Sequence, residues 1–171
     1  MFRKFKFEES LYASLQEIPY STRYKMDVVG LRLDLAAWKK LPLEERNVLC
    51  HLSVRSQGER DAYREFLVMT LKRSGSEPSF SETMRLENER AQWENPGRMP
   101  TAVVEASFRA GLPLRTDDWL RFDDMERYVL FRVALEKSTL MTQVLAEFIK
   151  GGHRGSQDRH SEILRKAHSE G

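Results

Sequence analysis

The chain has a single cysteine, Cys50, among its 171 residues, and it has no long apolar run. One cysteine cannot form an intramolecular disulfide, which excludes a secreted scaffold held together by disulfides. The longest apolar runs, such as 128–131, are far shorter than the ~20 residues that a membrane-spanning helix needs. No apolar stretch follows the basic residues at the start, so we expect no signal peptide and a cytoplasmic location.

The chain also lacks a large excess of charge of one sign. Lysine and arginine number 28 against 26 acidic residues, a formal net charge of +2. The basic excess lies at the two ends, because residues 8–149 carry 20 basic and 23 acidic side chains. A nucleic-acid-binding domain normally has a basic stripe on its folded face. The sequence therefore does not favour DNA or RNA as a partner.

Motifs of known catalytic chemistry are absent as well. We find no phosphate-binding glycine loop, nucleophile elbow or zinc-protease motif. His153, His160 and His168 lie far apart near the end of the chain, unlike the paired ligands of zinc sites. Cys50 lies in an apolar stretch, which predicts a buried structural thiol rather than a nucleophile. We expect no metal, no cofactor and no enzymatic activity.

The sequence does contain a pattern that occurs twice, 81 residues apart. The shared pattern is P-x10-G-L-x-L-x4-W-x6-E-R-x-V-L, and it aligns without a gap. The matched pairs are Pro19 and Pro100, Gly30 and Gly111, Trp38 and Trp119, Glu45 and Glu126, and Arg46 and Arg127. Proline, glycine and tryptophan are rare, so we predict a duplicated unit, although common helix punctuation could also produce such a match.

Each copy of the pattern predicts a series of helices. The proline suits a helix start, and the glycine suits the left-handed residue that ends one. A short helix carrying the tryptophan follows, then a helix from Pro42 or Asp123. Longer helices are predicted over about 58–73 and 138–150, and another over about 8–17 precedes the first copy.

These elements predict an all-α protein without β-strands. We expect one compact helical domain over residues 1–150, containing repeat units at about 18–73 and 99–150. The polar stretch 74–98 is predicted to be a surface connection with a helix over 81–93, and residues 151–171 a flexible tail.

The first copy carries polar residues that the second lacks. Arg23, Tyr24, Lys25 and Asp27 correspond to a less polar stretch at 104–108. A structural requirement would be shared by both copies, so this asymmetry favours a partner-binding role. Arg23 and Asp27 lie one helical turn apart and could instead pair with each other.

Three aromatic residues and two charged pairs complete the candidate residues. Trp93, in the connection, is predicted to be an exposed anchor for a partner. Trp38 and Trp119 are predicted to fill the core. The recurring Glu45–Arg46 and Glu126–Arg127 pairs predict a symmetric ion-pair network, either between the units or with a partner, and we favour the structural role between the units.

The order of the landmarks points to a family. They are Phe5-Lys6-Phe7-Glu8, Arg23-Tyr24-Lys25-Met26-Asp27, Gly30-Leu31-Arg32-Leu33, Leu43-Glu44-Glu45-Arg46, Tyr63-Arg64 with Phe66-Leu67, Trp93, Gly111 with Trp119, and Glu126-Arg127-Tyr128. In this order the sequence resembles the conserved nitrate reductase-associated protein family over about residues 5–149. The resemblance implies an accessory protein that binds assimilatory nitrate reductase. Molybdopterin and the iron–sulfur cluster would belong to the reductase. The family implies no catalytic residues.

Two other functions remain open from the sequence. A small-molecule sensor could bind its ligand in a crevice between the two units, lined by Tyr24, Trp38, Trp119 and Arg127. A DNA-associated regulator could use the glycine turn as a helix-turn-helix, but the acidic body of the chain argues against it.

Overall fold

The structure is a computed structural model that describes residues 2–76 and 89–151. Within these ranges it contains helices and no β-strand, which confirms the predicted all-α class. The chain divides into two compact units, Met1–Ala91 and Gln92–Gly171. The helices in chain order are a 3-10 helix Lys6–Leu11, α1 Tyr20–Val28, α2 Leu35–Lys40, α3 Leu43–His51, α4 Gln57–Arg73, α5 at 89–93, α6 Thr101–Arg109, α7 Thr116–Arg121, α8 Asp124–Leu135 and α9 at 141–151.

Two predicted segments are only partly described. The predicted tail lies outside the described residues from 152 onward, and so does the part of the connection from 77 to 88. Of the predicted polar helix over 81–93, residues 89–93 are helical. No helix in the described part of the chain is long and apolar enough to cross a membrane.

The first helices of the two units start and end in the same way. Pro19 and Pro100 occupy the N-cap position, so the helices themselves begin one residue later, at Tyr20 and Thr101. Gly30 and Gly111 follow the helices with φ of 74° and 72°, the left-handed conformation predicted for them. Because glycine has no Cβ, it adopts this conformation without strain and ends the helix.

Gly30→Ala and Gly111→Ala should each destabilise the protein by about 1–2 kcal/mol, because alanine is strained at positive φ. Gly58→Ala is the matched control, since Gly58 lies in α4 with open space around its Cα. There the change should stabilise by up to about 1 kcal/mol. Urea unfolding of the three variants measures this. Equal effects at all three glycines would contradict the assignment.

The predicted helix over about 8–17 is wrong. A short 3-10 helix forms instead, and Leu15 has a φ of 48°. The carbonyl of Leu15 accepts hydrogen bonds from Trp38 Nε1 at 2.7 Å and Arg46 Nη1 at 2.8 Å. Helical geometry is therefore interrupted at Leu15, and the carbonyl of this residue is hydrogen-bonded by two side chains that are distant in the sequence.

Each unit has its own core around a tryptophan. Trp38 is fully buried in the first unit with Leu49, Tyr63 and Leu67. Trp119 is fully buried in the second unit. Its indole N–H donates to the carbonyl of Asn95 at 3.1 Å. The prediction that both tryptophans fill the core is confirmed.

Candidate functional site

The polar segment of α1 is divided between surface and interior. Arg23 and Tyr24 are partly exposed, whereas Lys25 and Asp27 are 3% and 6% exposed. A buried side chain cannot contact a partner directly. The prediction that all four residues form a binding surface is therefore corrected: only Arg23 and Tyr24 reach the surface, and their binding role remains a prediction.

Lys25 connects α1 to the end of α3. Its Nζ donates a hydrogen bond to the carbonyl of Cys50 at 2.7 Å. Cys50 lies in the last turn of α3, where carbonyls have no partner within the helix and the helix dipole favours a cation. Burial lowers the pKa of Lys25 from 10.5 to about 8, with Cys50 acting in the opposite direction. Burying the ammonium group costs free energy, whereas its hydrogen bond to the carbonyl of Cys50 stabilises the end of α3.

Asp27 holds the chain that follows α1. Arg32 Nε donates to the Asp27 carboxylate at 3.1 Å, and Arg32 Nη2 donates to Glu89 at 2.5 Å. Arg32 therefore links two carboxylates that are far apart in the sequence. Arg23 bonds at the other end of α1, where its Nε donates a hydrogen bond to the carbonyl of Ile18 at 3.1 Å.

Cys50 and Tyr63 are buried in the same unit. The Thr22 hydroxyl donates to Cys50 Sγ at 3.2 Å. Burial raises the pKa of the Cys50 thiol, and burial also raises the pKa of Tyr63. A nucleophilic cysteine needs a lowered pKa and access to its substrate. Cys50 is fully buried, as the sequence predicted, and has neither feature.

Polarity around Lys25 is specific to the first unit. The positions 81 residues after Thr22, Lys25, Cys50 and Tyr63 are apolar: Val103, Ala106, Phe131 and Val144. All four of these residues are buried. The second unit has the same order of short helices with apolar residues at these positions, so this order of helices does not require polar residues there. The polar side chains of Thr22, Lys25, Cys50 and Tyr63 therefore distinguish the interior of the first unit from that of the second.

Trp93 does not lie at the surface as the sequence predicted. It is 2% exposed and packs edge-on against Tyr128, with ring centroids 5.3 Å apart. Its carbonyl accepts a hydrogen bond from Arg127 Nε at 3.1 Å. The expectation of an exposed anchor is wrong, because the segment before α6 folds into the core of the second unit.

The two arginines of the recurring pattern, Arg46 and Arg127, bond mainly to backbone carbonyls. Arg46 donates to the carbonyls of Leu41 and Leu15, at 3.0 Å and 2.8 Å. Arg127 donates to the carbonyls of Phe122 and Trp93. It also pairs with the exposed carboxylate of Asp124. Both arginines are buried and tie a segment of their own unit to the end of a short helix.

The neighbouring glutamates have other roles. Glu45 pairs with Arg73 rather than with Arg46. Glu126 closes a capping box with Asp123 at the start of α8. The predicted symmetric network of Glu–Arg pairs is therefore corrected to two buried arginines that hold backbone carbonyls within each unit.

Phe108 on α6 is 65% exposed, more than any other large apolar side chain in the part of the chain that the structure describes. It was not among the residues predicted from the sequence to bind a partner. Its position in the first unit is taken by the buried Asp27. This exchange of a buried acid for an exposed aromatic was visible in the 81-residue alignment and could have singled out Phe108.

The site has no arrangement suited to metal binding. Within residues 2–76 and 89–151, no group of three or more histidine, cysteine or acidic side chains could hold a metal ion. His153, His160 and His168 lie outside the described residues. Trp38, Trp119 and Arg127, proposed to line a ligand crevice, are buried in the cores of their own units.

Comparison with known proteins finds one family. The sequence model of a family described as conserved nitrate reductase-associated protein matches residues 4–148. The match runs from the N-terminal segment into α9, through both units. No curated protein and no solved structure matches the chain.

Proposed function

The chain belongs to the conserved nitrate reductase-associated protein family, and on that premise we propose that it is a non-catalytic accessory protein that binds and supports assimilatory nitrate reductase. The observation that carries this proposal is the family match over residues 4–148. The reductase would hold the molybdopterin and the iron–sulfur cluster, and this chain would hold no cofactor.

The placement of the reactive side chains supports a non-catalytic role. Lys25, Cys50 and Arg127 are buried, and their polar atoms contact groups of their own unit. General acid–base or nucleophilic catalysis needs such groups within hydrogen-bond reach of a substrate. Their use in holding helix ends together supports a protein that acts by binding.

We assign the main contact to the exposed face of α6. Phe108 is 65% exposed, and the partly exposed Val104 lies one helical turn before it on the same face. Exposed aromatic side chains that become buried in an interface contribute a large share of binding energy. Arg23 and Tyr24 on α1 are candidates for a second contact.

Phe108→Ser should weaken binding to the reductase by about 30-fold, the effect of losing one anchor worth about 2 kcal/mol. Because Phe108 is exposed, the thermal stability of the protein should hardly change. Co-purification of tagged protein with the reductase measures the binding. Met69→Ser, at a residue 50% exposed on α4, is the matched control and should bind normally.

Deletion of the gene provides the test in the cell. Reductase activity should fall in the deletion strain, recover with the wild-type gene and recover poorly with Phe108→Ser. Unchanged reductase activity in the deletion strain, together with no co-purification, would end the proposal. Normal binding by Phe108→Ser would reject only the assignment of the surface.

We also propose that the two units arose by duplication. Helices α1, α2 and α3 start at residues 20, 35 and 43, and α6, α7 and α8 start 81 residues later, at 101, 116 and 124. The bonds from Arg46 to Leu41 and from Arg127 to Phe122 also correspond under this shift.

A further inference from the structure

An open groove of about 430 Å³ lies in the second unit, between α6, α8 and the start of α9. Its lining includes the apolar residues Ala106, Ala110 and Met141, of which Ala110 is partly exposed. A volume of this size lies within the range of about 300–1000 Å³ that is typical of small-molecule sites. Ala110, with the methyl groups of the exposed Thr139 and Thr142, therefore offers a ligand a small apolar surface.

The rim of the groove carries two positive charges. They belong to Arg109, at the end of α6, and Lys137, in the turn after α8. Arg109 pairs with Glu105 at 3.8 Å, and both side chains are more than 60% exposed, so this pair is weak. Among the residues that the structure describes, no acidic side chain lines the groove. The two cations are therefore the charged groups that these residues present to a ligand there.

Hydroxyl groups lie beside the cations. Ser138, Thr139 and Thr142 line the groove together with Lys137. Ser138 Oγ accepts a hydrogen bond from the amide of Leu140 at 3.2 Å, which leaves its proton available for donation. The turn itself is held in place, since the amides of Lys137 and Ser138 donate to the carbonyls of Ala134 and Val133. The polar groups are thus carried by an ordered turn.

We propose that this groove binds a phosphate monoester whose organic part is apolar. A phosphate monoester carries a charge of about −1.5 to −2 near pH 7, which matches the two cations. Its three terminal oxygens accept hydrogen bonds from the guanidinium, the ammonium and the hydroxyls. The apolar part would lie on Ala110 and on the methyl groups of Thr139 and Thr142. A carboxylate, with a single charge, satisfies fewer of these donors.

The test is a titration of the full-length, isotope-labelled protein followed by NMR. Phenyl phosphate should cause saturable shifts at the amides of Ala110, Ser138 and Thr142. Inorganic phosphate should bind more weakly, since it has no apolar part to contact Ala110 and the threonine methyl groups, and benzyl alcohol should not saturate. Arg109→Gln and Lys137→Asn should each weaken phenyl phosphate at least ~10-fold. Asparagine is chosen because Lys137 has a φ of 49°.

Arg121→Gln is the matched control, because it removes one exposed positive charge from the same unit outside the groove. It should bind phenyl phosphate like the wild type. Equal weakening by Arg121→Gln would show that overall charge alone is responsible, and shifts that do not saturate would show that there is no site. Equally tight binding of inorganic phosphate would reject the apolar part of the ligand. These measurements do not involve the reductase, so they stand apart from the proposed function.

Discussion

Arg127→Met should destabilise the protein by about 2–4 kcal/mol. The buried guanidinium donates to the carbonyls of Trp93 and Phe122, and methionine cannot replace either bond. Leaving a buried carbonyl without its partner costs about 1–3 kcal/mol. Methionine keeps most of the apolar stem, so the loss reflects the hydrogen bonds, and the contact of the guanidinium over the ring of Trp119, rather than a cavity.

Two other arginines make this prediction specific. Arg121→Met removes an exposed guanidinium and should change stability by less than about 0.5 kcal/mol. Arg46→Met should cost less than Arg127→Met, because the carbonyl of Leu15 keeps its bond from Trp38 Nε1. Guanidinium chloride unfolding of the three variants measures these differences. A loss in Arg127→Met no larger than that in Arg121→Met would contradict the structural role.

The second large effect concerns Lys25 and pH. Its pKa is about 8 in the folded protein, against the ordinary lysine value of 10.5 in the unfolded chain. Between these two values the unfolded chain binds the proton and the folded protein does not, so stability rises with pH. The gain through Lys25 should be about 3 kcal/mol. Below pH 8 both states are protonated, and the cost of burying the charge is present in full.

The variant Lys25→Met should lack this rise. Cys50 and Tyr63 act in the opposite direction, since burial raises the pKa of both groups, so the difference between wild type and variant is the quantity to measure. Urea unfolding at several values between pH 7 and 10.5 provides it. Lys72→Met, at an exposed lysine on α4, should follow the wild type. Parallel stability curves for wild type and Lys25→Met would refute the lowered pKa.

The helix boundaries were largely predictable because their causes are local. Gly30 and Gly111 adopt the left-handed conformation expected of a glycine at a helix end, and Asp34 and Asp123 cap the helices that follow. Such features depend on the backbone conformation of a few neighbouring residues. The helix predicted over 8–17 does not form. The carbonyl of Leu15 instead accepts hydrogen bonds from Trp38 and Arg46, which are distant in the sequence, so the local pattern could not indicate these contacts.

The interior of α1 was not predictable from periodicity. Lys25 and Asp27 lie two residues apart, on different faces of the helix, and both are buried. A helix that is covered on more than one side shows no single apolar stripe, so its polar residues resemble a surface. The same reasoning misplaced Trp93, whose surroundings come from Tyr128 and Arg127 further along the chain.

The amino-acid sequence by itself determined the helical class, the starts and ends of the short helices, and the family to which the chain belongs, since these depend on residue types at short spacings. Only the tertiary structure decided which charged side chains lie inside, that Phe108 lies outside, and that Arg109 and Lys137 share one groove. Burial and proximity depend on contacts between helices that are distant along the chain, and a local sequence pattern does not indicate which helices make contact.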